Sequence, residues 1–144
     1  MRIQKLLTFL FALLLVTSMT SCDKDKDKEP SQRDLLTSST WKGESLWAFG
    51  RDISDLYNDE IGYDIKKNTV KYDKAGTYVD SYERLSLNGT WEFADNEKTI
   101  IFDKGTEDEY KASVLMLTDK ELRMEQTLEA SDGSTLSLEV RFIR

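Results

Sequence analysis

The side chains that could do chemistry in this chain are few in kind. Its 144 residues include no histidine and one cysteine, Cys22. Nucleophile–histidine catalysis, histidine-bearing zinc sites and a histidine pH switch are excluded at once. An intrachain disulfide and a cysteine-rich metal centre are excluded as well. Carboxylates abound, with 27 Asp and Glu, so close acid pairs must arise by chance and none singles itself out as a general acid and base. No catalytic residue, cofactor or metal is assigned, and the chain does not read as an enzyme. Asp103, Glu107, Asp108 and Glu109 could hold a weak cation, yet they read more simply as a solvated hairpin loop. The aromatic residues are the better lead. Trp47, Tyr78, Tyr82, Trp91 and Phe93 are rigid rings with a few polar tips, suited either to line a cavity for an apolar or sugar-like ligand or to fill a core.

Charge narrows the partners further. The formal net charge is −7, and the first 21 residues carry only Arg2 and Lys5, so the remainder is more acidic still. Counterion release from nucleic acid needs a basic surface, and none is available. No nucleic-acid partner is expected.

The N-terminal segment carries an address. Arg2 and Lys5 precede an apolar run from Leu6 to Val16, which is shorter than the roughly 20 residues that span a bilayer. Thr17, Ser18, Met19, Thr20 and Ser21 then lead directly to Cys22. This order resembles a bacterial lipobox. The resemblance implies removal of residues 1–21 as a signal peptide and a lipid (diacylglycerol and a further acyl chain such as palmitate) on Cys22. Two or more acyl chains anchor a protein stably, so the mature chain would be tethered to a membrane rather than span it.

Behind the cysteine, residues 22–30 form a charged linker. Asp23, Asp25 and Asp27 match the opening of a calcium loop, but Lys28 occupies its glycine position and Lys24, Lys26 and Lys28 cancel the field. The linker reads as a solvated spacer. Acids and a lysine just after a lipidated cysteine resemble a surface-export signal of Gram-negative lipoproteins, whereas Asp23 alone resembles an inner-membrane retention signal of enteric bacteria. The expected location is the outer membrane, facing outward.

Residues 31–144 must supply the elements that position any site. Ser31 can cap a short helix over Gln32 to Thr37 with Asp34 in its first turn. Beyond it, apolar residues alternate with polar ones. Trp47 and Phe49 share a parity with Trp41, Val70 pairs with Tyr72, Trp91 with Phe93, and Ile100 with Phe102. The same holds along Tyr110 to Met116, Leu122 to Leu128 and Leu136 to Phe142. Period two in so many segments argues for half-buried strands. Turn residues at Lys74-Ala75-Gly76, Asn88-Gly89, Asp95-Asn96, Lys104-Gly105, Thr118-Asp119 and Asp132-Gly133 divide the chain into about eight strands. No helix-length connection follows Asn68, so the strands form an antiparallel meander. Eight strands can close into a small barrel and so remove their edges. The fold class is all-β, an up-and-down antiparallel barrel with a short N-terminal helix. The facing of the strand at 77–87 is open, because Tyr78, Asp80 and Tyr82 lie on one parity and Val79, Leu85 and Leu87 on the other. Residues 52–67 read partly as helix and partly as strand, and fit a lid over one end.

In this order, Asp34-Leu35-Leu36 leading to Trp41, Asp73 to Tyr78, Gly89-Thr90-Trp91-Glu92-Phe93 and Leu117 to Leu122 resemble the lipocalin-like domains of small bacterial lipoproteins. The resemblance implies that Trp41 closes one barrel end beneath an arginine from late in the chain, Arg141 or Arg144, with Arg141 the first choice. It also implies a barrel able to hold a small apolar ligand near Trp47, Trp91 and Phe93. Two functions remain open: a lipid-anchored binding module for an apolar ligand or glycan fragment, and an accessory or inhibitory interaction protein with a filled core.

Overall fold

The alternating segments become strands of a single sheet that curls until its ends meet. In the computed structural model, which describes residues 29–129 and 132–144, the strands are β1 (Thr40–Ala48), β2 (Arg51–Asp52), β3 (Asn68–Tyr72), β4 (Thr77–Tyr82), β5 (Leu85–Ala94), β6 (Thr99–Phe102), β7 (Tyr110–Leu117), β8 (Glu121–Glu129) and β9 (Thr135–Ile143). The expected signal peptide, Cys22 and nearly all of the charged linker lie outside the described residues. Sequential strands from β3 to β9 pair antiparallel, and β1 pairs with β3 on one side and β9 on the other. The result is a closed eight-strand antiparallel barrel, with the two-residue β2 appended to β1. Glu121 to Glu129, although rich in helix formers, is strand β8, because its partner β9 matches it residue for residue.

One end of the barrel is sealed. Helix α1 (Gln32–Thr37) starts where the sequence predicts, with the Ser31 hydroxyl accepting the Asp34 N–H at 3.1 Å. The Asp34 carboxylate pairs with Lys74 at 2.5 Å, and this bond, with a second from Ser31, holds its pKa down at about 2. The helix buries Leu36 completely over Trp41, whose indole Nε1 donates to the Leu36 carbonyl at 2.9 Å. The arginine over Trp41 is Arg144, 4.3 Å from the ring centroid and donating to the Leu35 carbonyl, and not Arg141. Phe142 points inward opposite Gly43, so its neighbour Arg141 must face out, where it lies 3.7 Å over Trp47. Trp91 completes this floor. Its Nε1 donates to the Asp73 and Thr77 carbonyls, and Arg33 lies 4.7 Å over its ring.

Two irregularities change which side chains face inward. A bulge between Gly43 and Ser45 places Glu44 as an extra residue, so Trp41 and Gly43 face in, then Leu46 and Ala48. Trp47 is thereby turned to the outside, against the parity expected from Trp41. In β4 and β5, the chain reverses at Glu83-Arg84 and not at Asn88-Gly89. Glu83 takes the left-handed conformation (φ 52) and pairs with Lys67 at 2.8 Å. Asn88 and Gly89 continue β5 instead.

Residues 53–67 supply part of the wall at the other end. Helix α2 (Ser54–Ile61) lies on β1 without a fully buried side chain, followed by a 3₁₀ turn at Ile65–Lys67. No strand forms at Tyr63 or Ile65. β1 separates from β3 after Lys42, and the buried Ile65 closes the gap. A Cβ on Gly43 would lie 2.1 Å from the Ile65 carbonyl oxygen, so β1 and the turn approach this closely only because position 43 has no side chain. Gly43→Ala should therefore lower stability by about 2 kcal/mol, in the range of overpacked cores. Urea unfolding measures this, and a change below about 0.5 kcal/mol would show that the turn moves aside freely.

Candidate functional site

The inward positions of β3, β4 and β6 to β9 leave a space between the sealed floor and the open end. This cavity measures about 210 Å³. Val70 and Tyr72 of β3, Tyr78 and Asp80 of β4, Phe102 of β6 and Tyr110 of β7 form most of one side. Ala112, Met124, Gln126, Val140 and Phe142 face them, while Tyr63, Ile65 and Asn68 roof the space. The rings brace one another. Tyr78 meets Phe102 edge-on at 5.4 Å between centroids, and Tyr110 stacks on Phe102 at 4.5 Å.

Tyr78 is held by a polar clamp behind the strands. Its hydroxyl donates to Asp103 Oδ2 at 2.7 Å, and Asp103 Oδ1 accepts the Thr90 N–H at 2.8 Å. Gly89 lies beneath this clamp, where a Cβ would come within 2.2 Å of Asp103 Oδ1 and 2.5 Å of the Tyr78 ring. That explains a glycine inside a strand: the ring of Tyr78 covers the place a side chain would take. Glu109, from the same acidic loop, accepts the Gly105 N–H instead. Among the described residues no three acids, cysteines or histidines are placed to hold a metal.

Among the described residues, Asp80 is the one formally charged side chain that lines the cavity. Its Oδ1 accepts from Asn68 Nδ2 at 2.5 Å, and the buried Asn68 also donates to the Ser81 carbonyl. Burial raises the Asp80 pKa above the ordinary 3.8, and the Asn68 bond only partly opposes that rise. Burial likewise pushes the Tyr63 hydroxyl up to about 12, with the charge of Asp80 as the next cause. Tyr72, Tyr78 and Tyr110 are raised too, by burial first and by the same carboxylate among the further causes. All four tyrosines are neutral hydroxyls at physiological pH.

The open end continues the cavity outward. β6 reaches only as far as Trp91 along β5, so the β4–β5 hairpin projects past its neighbour. Leu85 and Leu87 lie opposite Tyr82 and Asp80 and are about 70% exposed, at 71% and 70%. They border a second pocket of about 270 Å³ that shares Tyr63, Asn68 and Asp80 with the interior. Tyr63 and Tyr82 stack at 4.8 Å across this opening, and Tyr82 Oη donates to the Gly62 carbonyl at 3.2 Å. The wall also parts on the far side, where β7 and β8 pair only from Ser113–Glu125 toward the floor.

The five rings singled out in the sequence therefore separate. Tyr78 lines the cavity and Tyr82 its mouth. Trp91 and Phe93, packed edge-on at 5.3 Å, belong to the core of the floor. Trp47 stands outside under Arg141, with its Nε1 donating to Ser45 Oγ at 3.0 Å. Asp80, Asn68, Tyr63, Tyr72 and Tyr110 were missed. The signal was present in Tyr78-Val79-Asp80-Ser81-Tyr82, an acid alternating between two tyrosines, but the facing of that strand was undetermined.

No protein-family model matches the chain, and no curated protein matches it. Solved structures do match. Bovine odorant binding protein in complex with a selenium-containing odorant is 14% identical, with a TM-score of 0.50 over 83% of this chain and 76% of that one. The same protein complexed with its natural ligand is 14% identical, at 0.50 over 83% and 77%. Odorant-binding protein from bovine nasal mucosa is 15% identical, at 0.50 over 83% and 77%. At such identity the likeness speaks for the fold, and the barrel is lipocalin-like.

A carboxyl whose pKa is raised on folding binds its proton more tightly folded than unfolded, so stability falls as pH rises through and above 3.8. Asp80→Asn removes that penalty. The variant should melt higher than the parent at pH 7, with the gap closing below pH 3.8. Thermal unfolding across pH checks this, and a parent more stable than the variant at neutral pH would contradict it.

Proposed function

We propose that this protein is a lipid-anchored lipoprotein of the cell envelope whose barrel binds a small apolar ligand. The observation that carries the reading is the cavity of about 210 Å³ inside a barrel with one sealed end. An apolar cavity of roughly 150 Å³ is enough to take up benzene. The space here suits a monocyclic aromatic or short aliphatic body, and the mouth pocket offers room for a longer tail. Aromatic and aliphatic side chains outnumber Asn68, Asp80 and Gln126 in the lining, which supports an apolar body, and the tyrosine hydroxyls add polar tips that would orient it. The solved odorant-binding structures include complexes with an odorant and with a natural ligand, which supports binding rather than catalysis as the use of this fold. An accessory protein with a filled core, the alternative reading, would not need this space.

The anchor rests on the lipobox-like approach to Cys22. The acids and lysine behind Cys22 support a location on the outer membrane, facing outward, and the net charge of −7 supports no nucleic-acid partner.

Three experiments test these halves separately. Ethylbenzene should raise the melting temperature of the full-length protein and should not raise that of Ala112→Phe, whose ring fills the cavity. Native mass spectrometry of protein from its own host should show a co-purifying small molecule. A barrel that neither responds to ethylbenzene nor carries such a molecule rules out the ligand reading. For the anchor, an alkyne analogue of palmitate should label the wild-type protein and not Cys22→Ser, which should also leave the membrane fraction. Equal labelling of both would refute attachment at Cys22.

A further inference from the structure

The charge inside the barrel has no partner of opposite sign. Asp80 lines the cavity, and no lysine or arginine among the described residues lines it with Asp80. Lys67 pairs with Glu83, Arg123 with Glu121, and Arg141 with Glu139 and the Trp47 ring. Within the cavity, Asp80 receives one hydrogen bond, from Asn68 to Oδ1, and no described residue donates to Oδ2. Asp80 is half-buried, and an ionised carboxylate that has lost part of its hydration is unfavourable unless it is paired. Asp103, the next acid, uses both of its oxygens on Tyr78 and Thr90 and supplies no compensation.

The surrounding rings suit the missing charge. Tyr63, Tyr72, Tyr78 and Tyr110 share the cavity with Asp80, and the face of an aromatic ring attracts a cation. Resting on the ligand-binding reading above, we propose that the ligand is a small amine, its ammonium group held at Asp80 and its apolar body among the rings of the interior. Asp80 stands where the interior and the mouth pocket meet, so the ammonium sits near the opening and keeps access to water at the rim. A carboxylate ligand of the same shape would meet Asp80 with like charge and be rejected.

Isothermal titration of the full-length protein at pH 7 with phenethylamine, 2-phenylethanol and phenylacetate tests this. Phenethylamine should bind at least tenfold tighter than the neutral alcohol, and phenylacetate should give no binding. Asp80→Asn should bind the amine no tighter than the alcohol. Equal affinity for amine and alcohol in the parent overturns the proposal while leaving the ligand-binding reading intact. A preference for the amine that survives in Asp80→Asn overturns the assignment to this carboxylate. If neither the two neutral probes, ethylbenzene and 2-phenylethanol, nor the amine binds, the reading beneath falls with it.

Discussion

Everything inside this barrel depends on one strand having two partners. β1 pairs with β3 over Thr40 to Lys42 and with β9 over Lys42 to Trp47, so the sheet has no free ends along that line. The double role demands a sharp bend, and the bulge at Glu44 supplies it. Where β1 leaves β3, the Ile65 turn fills the breach against the bare backbone of Gly43. The segment between β1 and β3 is thus wall rather than loop, which is why Tyr63 and Ile65 border the interior beside Asn68 of β3. Without that closure Asp80 would face water, and neither its raised pKa nor its influence on four tyrosines would exist.

The two ends of the cylinder follow different chemistry. At the floor, two indoles are each covered by a guanidinium and each donate to backbone carbonyls, so polar atoms are satisfied while the rings stay dry. Cation-over-ring contacts of this sort contribute about 0.5 to 2 kcal/mol, depending on desolvation. At the mouth, leucines and tyrosines border open space with few such bonds. The stable end holds the shape, and the other end is left available.

Much of this was legible in the residues. Ser31 and Asp34 announce a capped helix, and the alternation from Leu136 to Phe142 announces a half-buried strand, because both signals are local. The number of strands and their meander order follow from the spacing of turn residues. What was hidden depends on long-range geometry. A bulge leaves no mark in the sequence, so the facing of Trp47 was read wrongly. Asn88-Gly89 looks like a hairpin turn, yet Gly89 is there to admit the Tyr78–Asp103 clamp, and the true reversal uses Glu83 and Arg84, neither of them a turn former. That misplaced turn left the facing of Asp80 undetermined and, with it, the polar centre of the cavity. Arg144 reaches Trp41 because it follows Ile143 at the floor end of β9, where its N–H still donates to the Lys120 carbonyl.

The leading end of the domain enters at the floor, where Pro30 and Ser31 start the helix that covers Trp41. A polypeptide held by that end is held on the side of the sealed base, with the opening on the opposite side.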